Sequence, residues 1–303
     1  MTGRPRPSGP VASGVRIAAV AAVVALVGVV WVLPASAAPS PRLGSRERAQ
    51  LARAHAFTTD PVRFLLLGDS VALTLGTGLA EQSVPRFGVT LIDRGTLGCD
   101  LDDVPVRLSG SVGPATPGCI GWRKTWPAEI SRYRPDVVGI LVGRWEVSDH
   151  LWHGHWVHIG DTAWDRHLAA ELTQAVTMAS AGGAKVVLFT MPDVDPPTRQ
   201  SDGAAFPENL PSRAGRFNAL LEQVAHRHRH TVTVVDVGAR LDPHGHFQEV
   251  VDGVTVRWPD GVHVSADGGR WLQPDVLPTV ARLGLAAAPT VRDRRAAPRP
   301  ISS

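Results

Sequence analysis

Five short apolar runs punctuate the chain between residues 60 and 285. Residues 62–68 (VRFLLLG), 89–93 (VTLID), 137–143 (VVGILVG), 185–190 (KVVLFT) and 231–236 (TVTVVD) are rich in β-branched residues and bounded by Gly, Pro or Asp. Unbroken runs of this kind suit strands buried on both faces. Longer stretches with apolar residues at three-to-four spacing lie between and after them, at 73–82, 126–132, 164–181, 211–229 and 266–283; these predict helices. Strands alternating with helices predict an α/β fold, a parallel sheet between helix layers. No internal repeat or low-complexity linker interrupts residues 60–285, which read as one domain. Ligands of such sheets sit beyond the carboxyl ends of the strands, so functional residues should directly follow strands.

The ends of the chain have a different character. Residues 1–16 carry Arg4, Arg6 and Arg16 and no acid, and residues 17–33 form an uncharged apolar run. Ala35-Ser36-Ala37 follows, a spacing that fits signal-peptidase cleavage after Ala37. The run is also at the short edge of what spans a bilayer. Residues 1–38 therefore read as a signal peptide or an N-terminal membrane anchor, and the chain as secreted or membrane-anchored, with its bulk extracytoplasmic. Residues 39–59 read as a linker or N-terminal helix. Residues 286–303, with four arginines among Ala, Pro and Ser, read as a disordered tail. These assignments change the meaning of the charge. The whole chain has 31 Lys and Arg against 28 Asp and Glu, a net charge of +3. Without residues 1–38 the balance is 28 against 28, and without the tail it is 24 against 27. The basic excess belongs to the termini, and nucleic acid loses its support as a partner.

Two motifs carry candidate chemistry. Gly68-Asp69-Ser70 directly follows the first strand and opens the first helix. A serine there has its hydroxyl raised above the sheet edge and its N–H at a helix N-terminus, where developing negative charge is favoured. Asp-Ser before a helix is also an ordinary N-cap. Near the other end, Asp260-Gly261-Val262-His263 lies in a Gly-containing loop ahead of the last helix. Such a loop can aim His263 at Ser70 as general base, with Asp260 holding the tautomer and stabilising the imidazolium. Either motif alone is weak, and a surface turn with a solvated histidine is the plain alternative for the second; the pair is far more specific.

With these motifs the chain resembles the SGNH (GDSL-like) hydrolase superfamily. Gly68-Asp69-Ser70 matches its first block, Asp93-Arg94-Gly95-Thr96-Leu97-Gly98 its glycine block, and Asp260-Gly261-Val262-His263 its last. The resemblance implies a flavodoxin-like three-layer α/β/α sandwich with a parallel five-stranded sheet. It implies Ser70 as nucleophile, His263 and Asp260 completing the triad, and the N–H groups of Ser70 and Gly98 as oxyanion donors. One block departs: the family has Gly-x-Asn-Asp after the third strand, whereas this chain reads Gly143-Arg144-Trp145-Glu146. Trp145 stands in place of the Asn that supplies a third donor, a loss worth about 10²- to 10³-fold in rate. Trp145 and Arg144 are candidate substitutes. The segments GRWEVSDH, HIGDTAWDRHL and LGCDL are similar to extracytoplasmic SGNH domains that work with acyltransferase-3 type membrane O-acyltransferases of actinobacteria. That likeness implies an acylated glycan or small ester as substrate, with a membrane acyltransferase as candidate partner.

Cys99 and Cys119 flank a loop rich in Gly, Pro and Ser. An exported location favours their oxidation to a disulfide, worth about 3 kcal/mol by loop closure; two buried thiols are the alternative. His150, His153, His155 and His158 cluster near Trp152, Trp156 and Trp164, and His226, His228 and His230 alternate with arginines. Without a His-Glu-x-x-His arrangement they predict no metal site, and no cofactor is called for. The tryptophans either pack the loop or offer faces to sugar rings. Two functions follow as expectations. The first is an extracytoplasmic serine esterase or O-acyltransferase acting on acyl esters, foremost acetyl, of cell-envelope glycans. The second is a catalytically weak SGNH module that binds glycan or scaffolds a membrane acyltransferase.

Overall fold

The protein is described by a computed structural model covering residues 60–115 and 117–287. The predicted signal or anchor segment, the predicted linker, and the tail beyond residue 287 lie outside the described residues. Each predicted strand forms, at Val62–Gly68 (β1), Val89–Gly95 (β2), Val137–Leu141 (β3), Lys185–Phe189 (β4) and Val232–Val235 (β5). All pair in parallel, in the order β2-β1-β3-β4-β5, which is the flavodoxin-like order.

Side chains alternate across the pleat and feed two cores. Leu65, Leu67, Val138, Ile140 and Leu188 pack with apolar residues of the helices Trp122–Tyr133 (α2), Thr162–Ser180 (α3) and Pro211–Arg227 (α4). Phe64, Leu66, Val137, Leu141 and Phe189 pack on the opposite face, against Ser70–Ala80 (α1) and Ala266–Leu285 (α5). Each fully buried aliphatic or aromatic side chain contributes about 1.5–3 kcal/mol. These clusters hold the carboxyl ends of β1, β2 and β3 side by side.

Helices α1 and α2 begin earlier than the periodicity predicts, at Ser70 and Trp122, because caps rather than apolar spacing set their starts. The Asp69 carboxylate accepts from the N–H groups of Val71 and Ala72, and Gly121 enters α2 in the left-handed conformation. Helices α1 and α5 cross through glycines: a Cβ on Gly269 would lie 2.8 Å from the Gly78 Cα. Gln273 on α5 is buried and donates to the carbonyls of Gly78, at 3.0 Å, and Glu81, at 2.6 Å, which end α1.

A second sheet stands outside the parallel-sheet expectation. Four short antiparallel strands pair in the order Ser111–Gly113, Val106–Leu108, Asp149–Trp152, His155–Val157. A two-stranded hairpin, Val250–Val251 with Val254–Thr255, precedes the histidine loop.

Candidate active site

The turn between β1 and α1 is built on Gly68, whose φ is +140° and where a Cβ would stand 1.8 Å from the Leu141 carbonyl oxygen. No side chain fits there, so β1 and β3 can close at their ends. Asp69 then divides its hydrogen bonds between two elements. One carboxylate oxygen caps α1 by accepting from Val71, at 2.8 Å, and Ala72, at 3.3 Å. The other accepts from the Arg144 N–H, at 3.3 Å, after β3. Asp69 is buried, and burial pushes its pKa up to about 6 against those bonds and the nearby His263 charge. The competing readings of Asp-Ser thereby separate: Asp69 is the cap, and Ser70, the first helical residue, is left with its hydroxyl uninvolved in capping.

The histidine loop is fixed from several sides. Asp260 accepts from the backbone N–H groups of Val262, at 2.9 Å, and His263, at 3.0 Å, through one oxygen. Its other oxygen meets the His263 Nδ1 at 2.6 Å. Partial burial pushes the Asp260 carboxyl up, but these bonds outweigh it and hold its pKa below the usual carboxylate range. Asp260 is therefore ionised across the physiological range, and its bond to Nδ1 leaves Nε2 as the nitrogen that can take a proton. Nε2 is buried and has no partner among the described residues. Among the described residues no hydrogen bond joins Ser70 to His263 Nε2. The loop that bears His263 leads into α5, which crosses α1, the helix that Ser70 opens.

Behind the loop, Arg257 is fully buried. It donates to the Val262 carbonyl at 3.2 Å and to the Asp193 carbonyl, and lies 3.7 Å from Asp242. The residue before His263 is thereby tied to the loop after β4.

Gly98 takes a positive φ of 68° in the loop after β2. That loop is joined to the Ser70 turn by the Thr96 N–H, which donates to Gly68 at 2.9 Å. Beyond it, the Gly118 N–H donates to the Gly98 carbonyl at 3.2 Å, and Cys99 and Cys119 form a disulfide. The bridge braces the segment that carries Gly98.

The departing block after β3 is organised by Glu146, which sequence reasoning passed over. Its side chain is buried and accepts from the N–H groups of Gly143, at 2.7 Å, and Leu101, at 3.2 Å. Burial and the neighbouring carboxylates Asp100 and Asp69 push its pKa well up, and its two oxygens tie the loops after β2 and β3 together. Arg144 and Trp145 each hold a buried donor, Nη1 and Nε1, without a partner among the described residues. Arg144 lies within electrostatic reach of Asp69 and Glu208.

The histidine and tryptophan cluster resolves mainly into packing. Trp164 is fully buried, His150 packs on it at 4.7 Å, and Trp152 lies against it at 5.7 Å. His150 Nε2 meets Asp100 at 2.9 Å, and His167 Nε2 meets Asp102 at 2.7 Å. Trp156 carries Arg107 over its ring at 4.1 Å. Among the described residues no group of three or more His, Cys, Asp or Glu could hold a metal ion. No described helix is long and apolar enough to cross a membrane.

A family model described as "Protein of unknown function (DUF459)" matches residues 63–279. The chain belongs to the DUF459 family. The matched span contains all three motif blocks and the disulfide, and it excludes both chain ends. No curated protein matches the sequence. Among solved structures, the chain is similar to Est24, a carbohydrate acetylesterase from Sinorhizobium meliloti. Identity is 14%, coverage is 73% of this chain and 99% of that one, and the TM-score is 0.49. The native aryl esterase of M. smegmatis matches at 16% identity, with 73% and 99% coverage and a TM-score of 0.49. A catalytic mutant of Axe2, an acetylxylan esterase from Geobacillus stearothermophilus, matches at 16% identity, with 72% and 94% coverage and a TM-score of 0.45.

Proposed function

We propose that the chain is an extracytoplasmic serine esterase or O-acyltransferase acting on acyl, foremost acetyl, esters of cell-envelope glycans. The observation that carries this reading is the state of His263. Its Nδ1 is held at 2.6 Å by an ionised Asp260, while its Nε2 is buried and has no partner among the described residues. A histidine so oriented is a general base waiting for a proton donor, and Ser70 supplies one from a turn where Asp69 has taken over capping.

In the proposed reaction Nε2 takes the Ser70 proton as Oγ bonds to the ester carbonyl carbon. The Ser70 and Gly98 N–H groups receive the oxyanion, with Arg144 and Trp145 supplying the donor that the family Asn otherwise provides. The C–O bond to the alcohol breaks, the alkoxide leaves with the proton from His263, and an acyl-Ser70 ester remains. Water or a sugar hydroxyl then gives its proton to Nε2 and bonds to the acyl carbon, the bond from that carbon to Ser70 Oγ breaks, and Oγ takes the proton back from His263. The extracytoplasmic assignment is supported by the Arg-flanked apolar run at 17–33 and by the disulfide. A separate membrane acyltransferase remains the candidate partner.

Ser70→Ala should lower turnover of a short-chain acetyl ester by about 10⁴-fold or more, and mass spectrometry should find the acyl adduct on Ser70 of the wild type. Equal turnover by both proteins overturns the reading. Glycan binding indifferent to Ser70→Ala, with no labelling by a serine-reactive fluorophosphonate, would instead mark a binding module.

A further inference from the structure

We propose that Trp258 is the platform for the alcohol portion of the ester, and that the alcohol it selects is a pyranose ring. The proposal rests on the reading of Ser70 and His263 as nucleophile and base. Trp258 is 49% exposed, more than any other described tryptophan, although an indole is among the largest apolar surfaces a chain can bury. Trp156, the next most exposed, is covered by Arg107. The ring partner of Trp258 is His263 itself, edge-on at 6.3 Å between centroids and 65° between planes.

The indole is held there by backbone. The Trp258 N–H donates to the His263 carbonyl at 2.9 Å, and the Gly261 N–H donates to the Trp258 carbonyl at 3.1 Å. The Asp195 N–H donates to the Gly261 carbonyl at 2.8 Å, and Arg257 clamps the loop from beneath. The position of the platform relative to the base is therefore built in.

The chemistry says which half of the substrate meets it. The leaving oxygen must come within about 3 Å of His263 Nε2 to receive its proton. The carbons attached to that oxygen then lie beside the indole, whereas the acyl group points toward Ser70 and Gly98. An exposed flat apolar surface at this point favours an alcohol with an apolar face. Its neighbours favour one with a hydroxylated rim: Asp195 and Arg199, ion-paired at 2.5 Å and partly exposed, sit on the loop bonded to Gly261. A pyranose has both, its axial C–H groups facing the ring and its hydroxyls at the edge.

Kinetics of the full chain on two esters sharing one acyl group provide the test, mono-O-acetylated methyl glucopyranosides against ethyl acetate. Trp258→Ala should lose about tenfold more kcat/KM on the sugar esters than on ethyl acetate, mostly through KM, and Trp258→Phe should recover most of that difference. An equal loss on both esters, or a Phe variant as poor as the Ala variant, overturns the platform. A wild type that turns over neither ester and carries no acyl adduct on Ser70 overturns the Ser70 reading and this proposal with it.

Discussion

At the scale of single residues, the candidate site separates jobs that the sequence writes as neighbours. Asp69 and Ser70 share one turn, yet the carboxylate takes the capping bonds and the hydroxyl is spared. Asp260 likewise accepts two backbone N–H bonds with one oxygen and keeps the other for His263. This predicts the behaviour of Asp260→Asn. The amide oxygen can keep the loop bonds, but its NH₂ would donate to Nδ1 and leave the proton on Nε2, the tautomer that cannot act as base. Ester turnover should fall by about 10³- to 10⁴-fold while the thermal midpoint moves by only a few degrees. A loss below about tenfold, measured on a short-chain acetyl ester, would remove Asp260 from the proposed triad.

At the scale of elements, the two halves of the site are joined where helices meet. Helix α1 begins at Ser70 and α5 begins three residues after His263, and they touch through Gly78 and Gly269. A Cβ at Gly269 would stand 2.8 Å from both the Gly78 Cα and the Leu75 carbonyl oxygen, backbone atoms that cannot swing aside. Gly269→Ala gains about 1 kcal/mol in helix propensity but costs about 1–3 kcal/mol in overpacking. Separation of the helices should win, so the thermal midpoint should fall by a few degrees and ester turnover should fall with it; a raised midpoint would show that the crossing relaxes freely.

The same scale shows what could be read beforehand. The five strands were legible from their apolar, β-branched runs. Strands β1, β3 and β4 are buried almost throughout, while the edge strands β2 and β5 are largely half-buried and so depart from the expectation of two buried faces. Two of the motif blocks were legible because they follow β1 and β2 directly. The antiparallel sheet was not, since strands of three or four residues carry too little periodicity. Its turns, and that of the separate two-stranded hairpin, did leave a signal. Ser109-Gly110, His153-Gly154 and Asp252-Gly253 all have positive φ at both positions, and each joins strands across a two-residue loop, the type I′ hairpin signature. Trp258 and Glu146 were illegible for another reason: exposure and loop-to-loop bonding are long-range properties that no local pattern encodes.

At the scale of the whole molecule, burial of acids sets the response to pH. Burial raises the carboxyls of Asp69, Asp93 and Asp242 to about 6, and pushes Glu146 well above the ordinary carboxylate range. Each binds a proton in the folded state that the unfolded chain has already released, so its stabilisation is complete below about pH 4 and is lost as pH rises through the folded pKa. His167, raised by its bond to Asp102, pushes the same way above the ordinary histidine range. Asp260, held low, pushes the other way, but only as pH falls below about 4. Between pH 5 and pH 8 these contributions run together, and the free energy of unfolding should decline. Asp69 alone, moving from 3.8 to about 6, accounts for about 1 kcal/mol of that decline. Urea unfolding at pH 5 and pH 8 should show the higher midpoint at pH 5. Asp69→Asn, which keeps a capping oxygen and cannot ionise, should narrow the gap. A wild type more stable at pH 8, or a gap unchanged in Asp69→Asn, would mean that Asp69 stays charged in the folded protein. The extra cost of that buried charge would then be met by the N–H groups of Val71, Ala72 and Arg144 and by the Arg144 guanidinium.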